Sequence, residues 1–302
     1  MLTILLKQII IMFVLIAIGY IFFKKAMITV QGSNDMGKIL LYLVIPVVII
    51  QSFWITKTPE KTTELLYSIL LSFIAMVISV FVSYIFFGKE DGISAFSSAF
   101  SNAAFIGIPL VTATIGEEAA FFIAMMIVMI NALQWTIGVY MISKDKNAIS
   151  TKKILTNPIV ISVVIGLALY FSGIPQPNIM ASLFSNIKGI NTALAMIISG
   201  AYLAQSDLLK MLTKKNTYTV CLFRLVIIPL IIMAIFYFLP IGTLDIKLTV
   251  VIASACPVGS NVAIFAQQYN QNYTEAIEQV CLSTILCLIT LPLLVGLAST
   301  IL

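Results

Sequence analysis

Between Leu65 and Phe87 the chain carries no charged side chain, and comparable apolar stretches recur along its whole length. A helix of that length is about what is needed to cross ~30 Å of hydrocarbon. In that solvent a backbone polar group finds no water, so it must be paired within the segment, which makes each run a helix. Composition points the same way. Of the 302 residues 61% are hydrophobic and 10% charged, with a mean hydropathy of +1.10, whereas soluble domains carry about 25% charged residues. The fold class expected is an all-α polytopic membrane protein.

The pattern predicts ten spans: Ile4–Phe23, Met36–Trp54, Leu65–Phe87, Ile93–Ile115 and Ala119–Ile142, then Pro158–Phe171, Ala181–Ala204, Tyr218–Phe238, Leu248–Tyr269 and Thr274–Ala298. A basic linker, Ser143–Asn157, separates a first five-helix half (1–142) from a second (158–302). Asn186, Lys188 and Asn191 suggest that the seventh span begins as an interfacial or extended segment. The first apolar run reaches Lys24 without a small-residue cleavage site, so it reads as a span rather than a cleaved signal.

With the N-terminus outside, the inner side holds Lys24, Lys25, Lys38, Lys89, Lys144, Lys146, Lys152, Lys153, Lys210, Lys214, Lys215 and Arg224. Only Lys7, Lys57, Lys61, Lys188 and Lys247 fall outside. The excess of basic residues on cytoplasmic loops therefore places both termini outside a cell membrane. These lysines sit in short loops between apolar runs, which leaves no basic surface for nucleic acid. The four cysteines form no CxxC pair and the chain has no histidine. No metal site and no cofactor is expected, and buried free thiols are the simpler reading.

Within the fourth span the chain reads SNAAFIGIPL, Ser101 to Leu110. Gly107 and Pro109 weaken a helix there, and Asn102 lies about 14 Å along it from Ile93, close to mid-depth. The ninth span repeats the pattern with Ser260-Asn261, preceded by Pro257 and Gly259. Each copy is followed by a polar turn and a helix beginning Glu-Ala, at Glu118-Ala119 and Glu275-Ala276. Five spans per half make the second copy inverted, and discontinuous helices at matching positions of inverted halves point to a transport site. Half-helix N-termini present free N–H groups and partial positive charge, which suits an anion. Either amide alone serves equally well to satisfy the broken backbone; the symmetric pair favours ligand contact. Asn131 on the fifth span, with Ser101, Ser260 and Gln51, completes the candidate binding set. Gln134, like Asn131, is an amide costly to bury, while the remaining intramembrane hydroxyls and amides read as structural.

No Asp or Glu falls mid-span, since Glu275 and Glu278 occupy the first turns of the last helix, and this disfavours a buried-carboxylate cation exchanger. Arg224 is the one basic residue at depth. Snorkelling to the inner surface is its default role, with pairing to a helix end or an anion as the alternative. GxSxG and HExxH are absent, and without histidine the common catalytic triads are excluded, so no enzyme is expected.

SNAAFIGIPLVTATIGEEA (Ser101 to Ala119) and CPVGSNVAIFAQQY (Cys256 to Tyr269) resemble the two crossover motifs of the auxin efflux carrier family, whose bacterial members are mostly organic-acid permeases. Pro46, Arg224 with Pro229, and STILCLITLPL (Ser283 to Leu293) fit the same pattern, so the resemblance covers nearly the whole chain. It implies two inverted five-helix repeats with crossed broken helices four and nine, in the transporter fold shared with bile-acid and sodium–proton carriers. Helices 1, 2, 6 and 7 would form a scaffold, often dimeric, and helices 3–5 and 8–10 a moving unit. It places Asn102 and Asn261 at the crossover and Asn131 beside it. The short linker and the Asn261-Val262 pair depart from the plant carriers, which argues against auxin itself. The expected function is a secondary carrier for a small organic anion, such as malate or malonate. A sodium-coupled anion symporter and a non-transporting ligand sensor are the rivals.

Overall fold

Pairing every backbone group inside hydrocarbon leaves helices, and helices are what form. The computed structural model describes residues 2–88, 90–206 and 211–302. Lys89 and Lys210, both assigned to the inner side from their positions in the sequence, lie outside the described residues. Among the described residues twelve helices organise the chain: α1 (Leu2–Lys24), α2 (Val30–Phe53), α3 (Pro59–Phe87), α4 (Gly92–Ala99), α5 (Ala103–Thr114), α6 (Ala119–Ser143), α7 (Pro158–Ser172), α8 (Asn178–Ala204), α9 (Lys215–Phe238), α10 (Leu244–Ala255), α11 (Asn261–Gln268) and α12 (Tyr273–Ile301). The linker adds two short helical turns, Lys146–Ala148 and Thr151–Leu155. Seven helices among the described residues are long and apolar enough to cross a membrane: α1, α2, α3, α6, α8, α9 and α12. α5 and α7 are shorter apolar helices.

Helix starts follow local chemistry. Thr29, Thr58, Asp91, Asn157, Thr243 and Asn272 each accept a backbone N–H of the first turn through the side chain, satisfying donors that the helix cannot. Pro59 and Pro158 occupy first turns, where a missing N–H costs nothing. Four other prolines sit within longer helices, Pro292 of α12 without a π turn before it. Pro46, Pro109 and Pro229 each follow a widened π turn, at Leu40–Val44, Ala103–Gly107 and Phe223–Ile227. A proline ring collides with the carbonyl four residues back, and one extra residue in the preceding turn relieves the clash. The start of the seventh expected span is helical rather than extended, running from Asn178 to Gly189 and then from Asn191 onward.

Lipid tails are as apolar as leucine, so helices here associate by close packing rather than by escaping water. α1 packs along the second half of α8. At that contact Gly19 faces the Ile197 carbonyl and Gly200 faces the Ile16 carbonyl, too closely for any Cβ. α2 packs on α7 and on both parts of α8. A second group gathers α3 with α4, α6 and α10, and α12 with α9, α10 and α11. All four cysteines are buried and free.

Candidate functional site

The two interrupted segments meet. α4 ends at Ala99, and Phe100 is extended (φ −114°, ψ 115°); Asn102 is also non-helical (φ −87°, ψ 50°) before α5 begins. α10 ends at Ala255, Cys256 is extended (φ −62°, ψ 151°), and α11 begins at Asn261. Ser101 and Val258 form an antiparallel bridge. Asn102 N–H donates to the Pro257 carbonyl at 2.8 Å and Gly259 N–H to the Phe100 carbonyl at 3.0 Å. Val258 N–H donates to Ser283 Oγ at 3.0 Å. Each break thus satisfies the other's backbone where water is absent. Gly259 lies against the Phe100 and Ser101 carbonyls, closer than a Cβ would comfortably allow.

The first break does not lie where the sequence places it. Gly107 and Pro109 sit after the interruption, inside a helix that has already restarted at Ala103. Their effect is the π turn, while the break itself is held by pairing to Pro257 and Gly259. The first break thus ends at Asn102 itself and the second just before Asn261, so the two copies match to within one residue.

Arg224 takes its alternative role, pairing to helix ends, rather than its default one. It is 1% exposed and does not snorkel. Its guanidinium donates to the carbonyls of Ser98 and Ala99 at 3.0 and 2.9 Å and to that of Ser254. Those carbonyls terminate α4 and α10, where helix dipoles concentrate negative charge.

On the other side of the crossing the N-termini of α5 and α11 open onto a cavity of about 460 Å³. Among the described residues, the N–H groups of Ala103, Ala104 and Phe105 find no acceptor. Asn102 lines the cavity with its side chain free of any protein partner among those residues, and Asn261 Nδ2 donates to Gln134 Oε1 at 2.8 Å. Ser101 and Ser260 line the same space. Ser101 is 4% exposed and its hydroxyl has no partner among the described residues. Asn131 Nδ2 donates to its own helix at Ile127, and its Oδ1 accepts from Asn157 Nδ2 at 3.3 Å. Asn157 in turn caps α7, so it ties the end of the linker to the site. Gln51 lies away from this group, near the far end of α2, and does not line the cavity.

Gln134 joins these residues at the cavity, and its spacing of one turn from Asn131 is the signal in the sequence that marks it. Asn157 was assigned to the linker, and nothing local marks its contact with Asn131. The apolar wall comprises Phe105, Ile127, Ile130, Ile159, Ile264 and Ile277. Gln31, Asn34, Lys38, Gln267 and Tyr273 line the exposed mouth, where Lys38 pairs with Asp35 at 2.8 Å. No Asp or Glu is among the described residues lining the cavity.

The mouth lies where α2 and α8 adjoin the segments that carry Lys24, Lys25, Lys214 and Lys215, beside the turn from α11 to α12. The opposite end is closed. There Lys61 pairs with Glu64 and Glu118, Lys188 pairs with Glu117, and Phe53, Phe121 and Tyr170 stack with centroids 4.8 and 5.8 Å apart. The arrangement provides a ligand-sized chamber, reached from one side, with amide donors and helix N-termini at its inner end.

No curated protein matches the chain. Residues 4–295 match the family described as membrane transport protein, which covers nearly the whole sequence and is a family of transporters rather than enzymes. With its several apolar helices it is a multi-pass membrane protein, and the chain belongs to the auxin efflux carrier family of membrane transport proteins.

Proposed function

We propose that the protein is a secondary active carrier that moves a small organic anion across the cytoplasmic membrane by an elevator-type alternating-access mechanism. The substrate class is a carboxylate such as malate or malonate. One observation carries this reading: two half-helix N-termini, with the N–H groups of Ala103, Ala104 and Phe105 unpaired, and the amides of Asn102, Asn131, Gln134 and Asn261 face the inner end of one cavity, and among the described residues no Asp or Glu lines it. Unpaired N–H groups at helix N-termini favour negative charge, and Asn and Gln orient it without adding charge of their own.

Ten crossings follow if α4 with α5 and α10 with α11 each count as one interrupted span. The linker then divides two inverted five-helix repeats. The packing of α1 and α2 against α7 and α8 supports a scaffold distinct from the group around the crossing. The mouth lies at the lysine-rich end, so the positive-inside rule makes this the cytoplasm-open state with both termini outside. The proposal includes a homodimer through the scaffold, whose lipid-side positions Val14, Ile21, Val164 and Ile165 are exposed in the single chain. Substrate entering from the cytoplasm meets Lys38 at the mouth, then the amides and the helix N-termini. Movement of the crossing unit against the scaffold would open the other end.

The test is uptake of radiolabelled carboxylates into proteoliposomes with proton and sodium gradients imposed separately. Saturable uptake of one acid, lost in Asn102→Ala, is the expected result. Binding without uptake under any gradient contradicts it and favours a sensor, while strict dependence on sodium would identify a symporter.

A further inference from the structure

We propose that Arg224 is the positioning residue that gives the crossing its net positive charge, and so sets the preference of the cavity for an anion over a neutral molecule of the same shape. The inference rests on the anion-carrier reading and extends it. Four half-helix ends converge at the crossing. Two are N-termini, of α5 and α11, each worth about +0.5 of a charge, and two are C-termini, of α4 and α10, each worth about −0.5. Left alone, the four cancel, and the cavity has no reason to prefer an anion. Arg224 is buried at the two C-termini, bonded to Ser98, Ala99 and Ser254. Its charge offsets the C-terminal pair and leaves the N-terminal pair facing the cavity, with a balance near +1.

Two further features support this assignment. Among the described residues no carboxylate forms an ion pair with Arg224, so its charge is balanced by dipoles alone. The guanidinium also grips both half-helices through separate N–H groups, which fixes one crossing end against the other, and a planar fork does this better than a single ammonium. Two residues separate Ala99 from Asn102, which keeps the two backbones within about 10 Å of each other and puts the charge on the order of 10 Å from the cavity amides. At that range and an effective dielectric constant near 20, one charge changes anion preference by about tenfold or more.

The experiment measures displacement by malonate, malate and butyrate, each against its own amide, in detergent-purified wild type, Arg224→Lys and Arg224→Gln. Folding is checked by elution profile and unfolding temperature. Wild type is expected to prefer at least one acid to its amide, and Arg224→Gln to lose about tenfold of that preference. Arg224→Lys keeps the charge, but a buried ammonium loses its proton far more readily than a guanidinium. Its preference is therefore expected to fall as pH rises, while that of wild type stays flat; this readout holds even if Arg224→Gln does not fold. A purely structural arginine would move neither ratio, so an unchanged preference in a folded Arg224→Gln, or a pH-flat Arg224→Lys, overturns the inference. If wild type prefers no acid to its amide, the anion reading itself falls.

Discussion

Asn102 and Asn261 occupy matching places in the two motifs but make different contacts, and they are expected to fail differently. Among the described residues the Asn102 side chain has no protein partner, so on the proposed reading Asn102→Ala removes a ligand contact and little else. Uptake is expected to drop roughly tenfold to a hundredfold, the range for a hydrogen bond to a charged group, with the unfolding temperature unchanged. Asn261 is the partner of Gln134. Asn261→Ala strands a buried acceptor, so a loss of about 1–3 kcal/mol in stability should accompany the lost uptake. Thermal unfolding of the two purified variants distinguishes these outcomes, and equal destabilisation would refute the contrast. At this scale the sequence was most informative where a residue type is expensive in hydrocarbon. Asn102, Asn131 and Asn261 stood out because amides at mid-depth need a reason. Arg224 stood out too, but its partners are backbone carbonyls more than a hundred residues away for α4, and no local pattern encodes them.

At the scale of elements, apolar continuity located the helices well, because hydrocarbon leaves the backbone few alternatives. The position of the first break was not legible. Gly107 and Pro109 are the strongest helix breakers in the motif, yet they produce a π turn, and the break occurs where the second segment supplies hydrogen bonds. The seventh span misled for a related reason: Asn186, Lys188 and Asn191 are polar, but Lys188 reaches Glu117 and the helix continues beneath it. The α1–α8 contact depends on small residues at both crossing points. Gly200→Val would push a side chain into the Ile16 carbonyl and is expected to cost about 1–3 kcal/mol or more. Urea or thermal unfolding in detergent checks this; stability within ~0.5 kcal/mol of wild type would show that the helices can separate freely.

Over the whole molecule, one end is open and the other closed, and the closed end is tied by Lys188 on α8 and Glu117 on the turn before α6. An exposed ion pair contributes at most about 1 kcal/mol, so Glu117→Gln should raise the population open at that end by no more than about fivefold. Labelling of Ala104→Cys by an impermeant maleimide, in a Cys281→Ser background, reports that population; an unchanged rate would remove Lys188–Glu117 from the gate. The role proposed for the cavity is to carry a carboxylate across the membrane. Entrance counterflow tests it most directly, in proteoliposomes preloaded with an unlabelled acid and given a trace of the same acid, labelled, outside. Transient accumulation of label without any ion gradient, reduced about tenfold or more in Asn102→Ala, is the expected result. No counterflow for any carboxylate, from protein that binds one, would contradict the account.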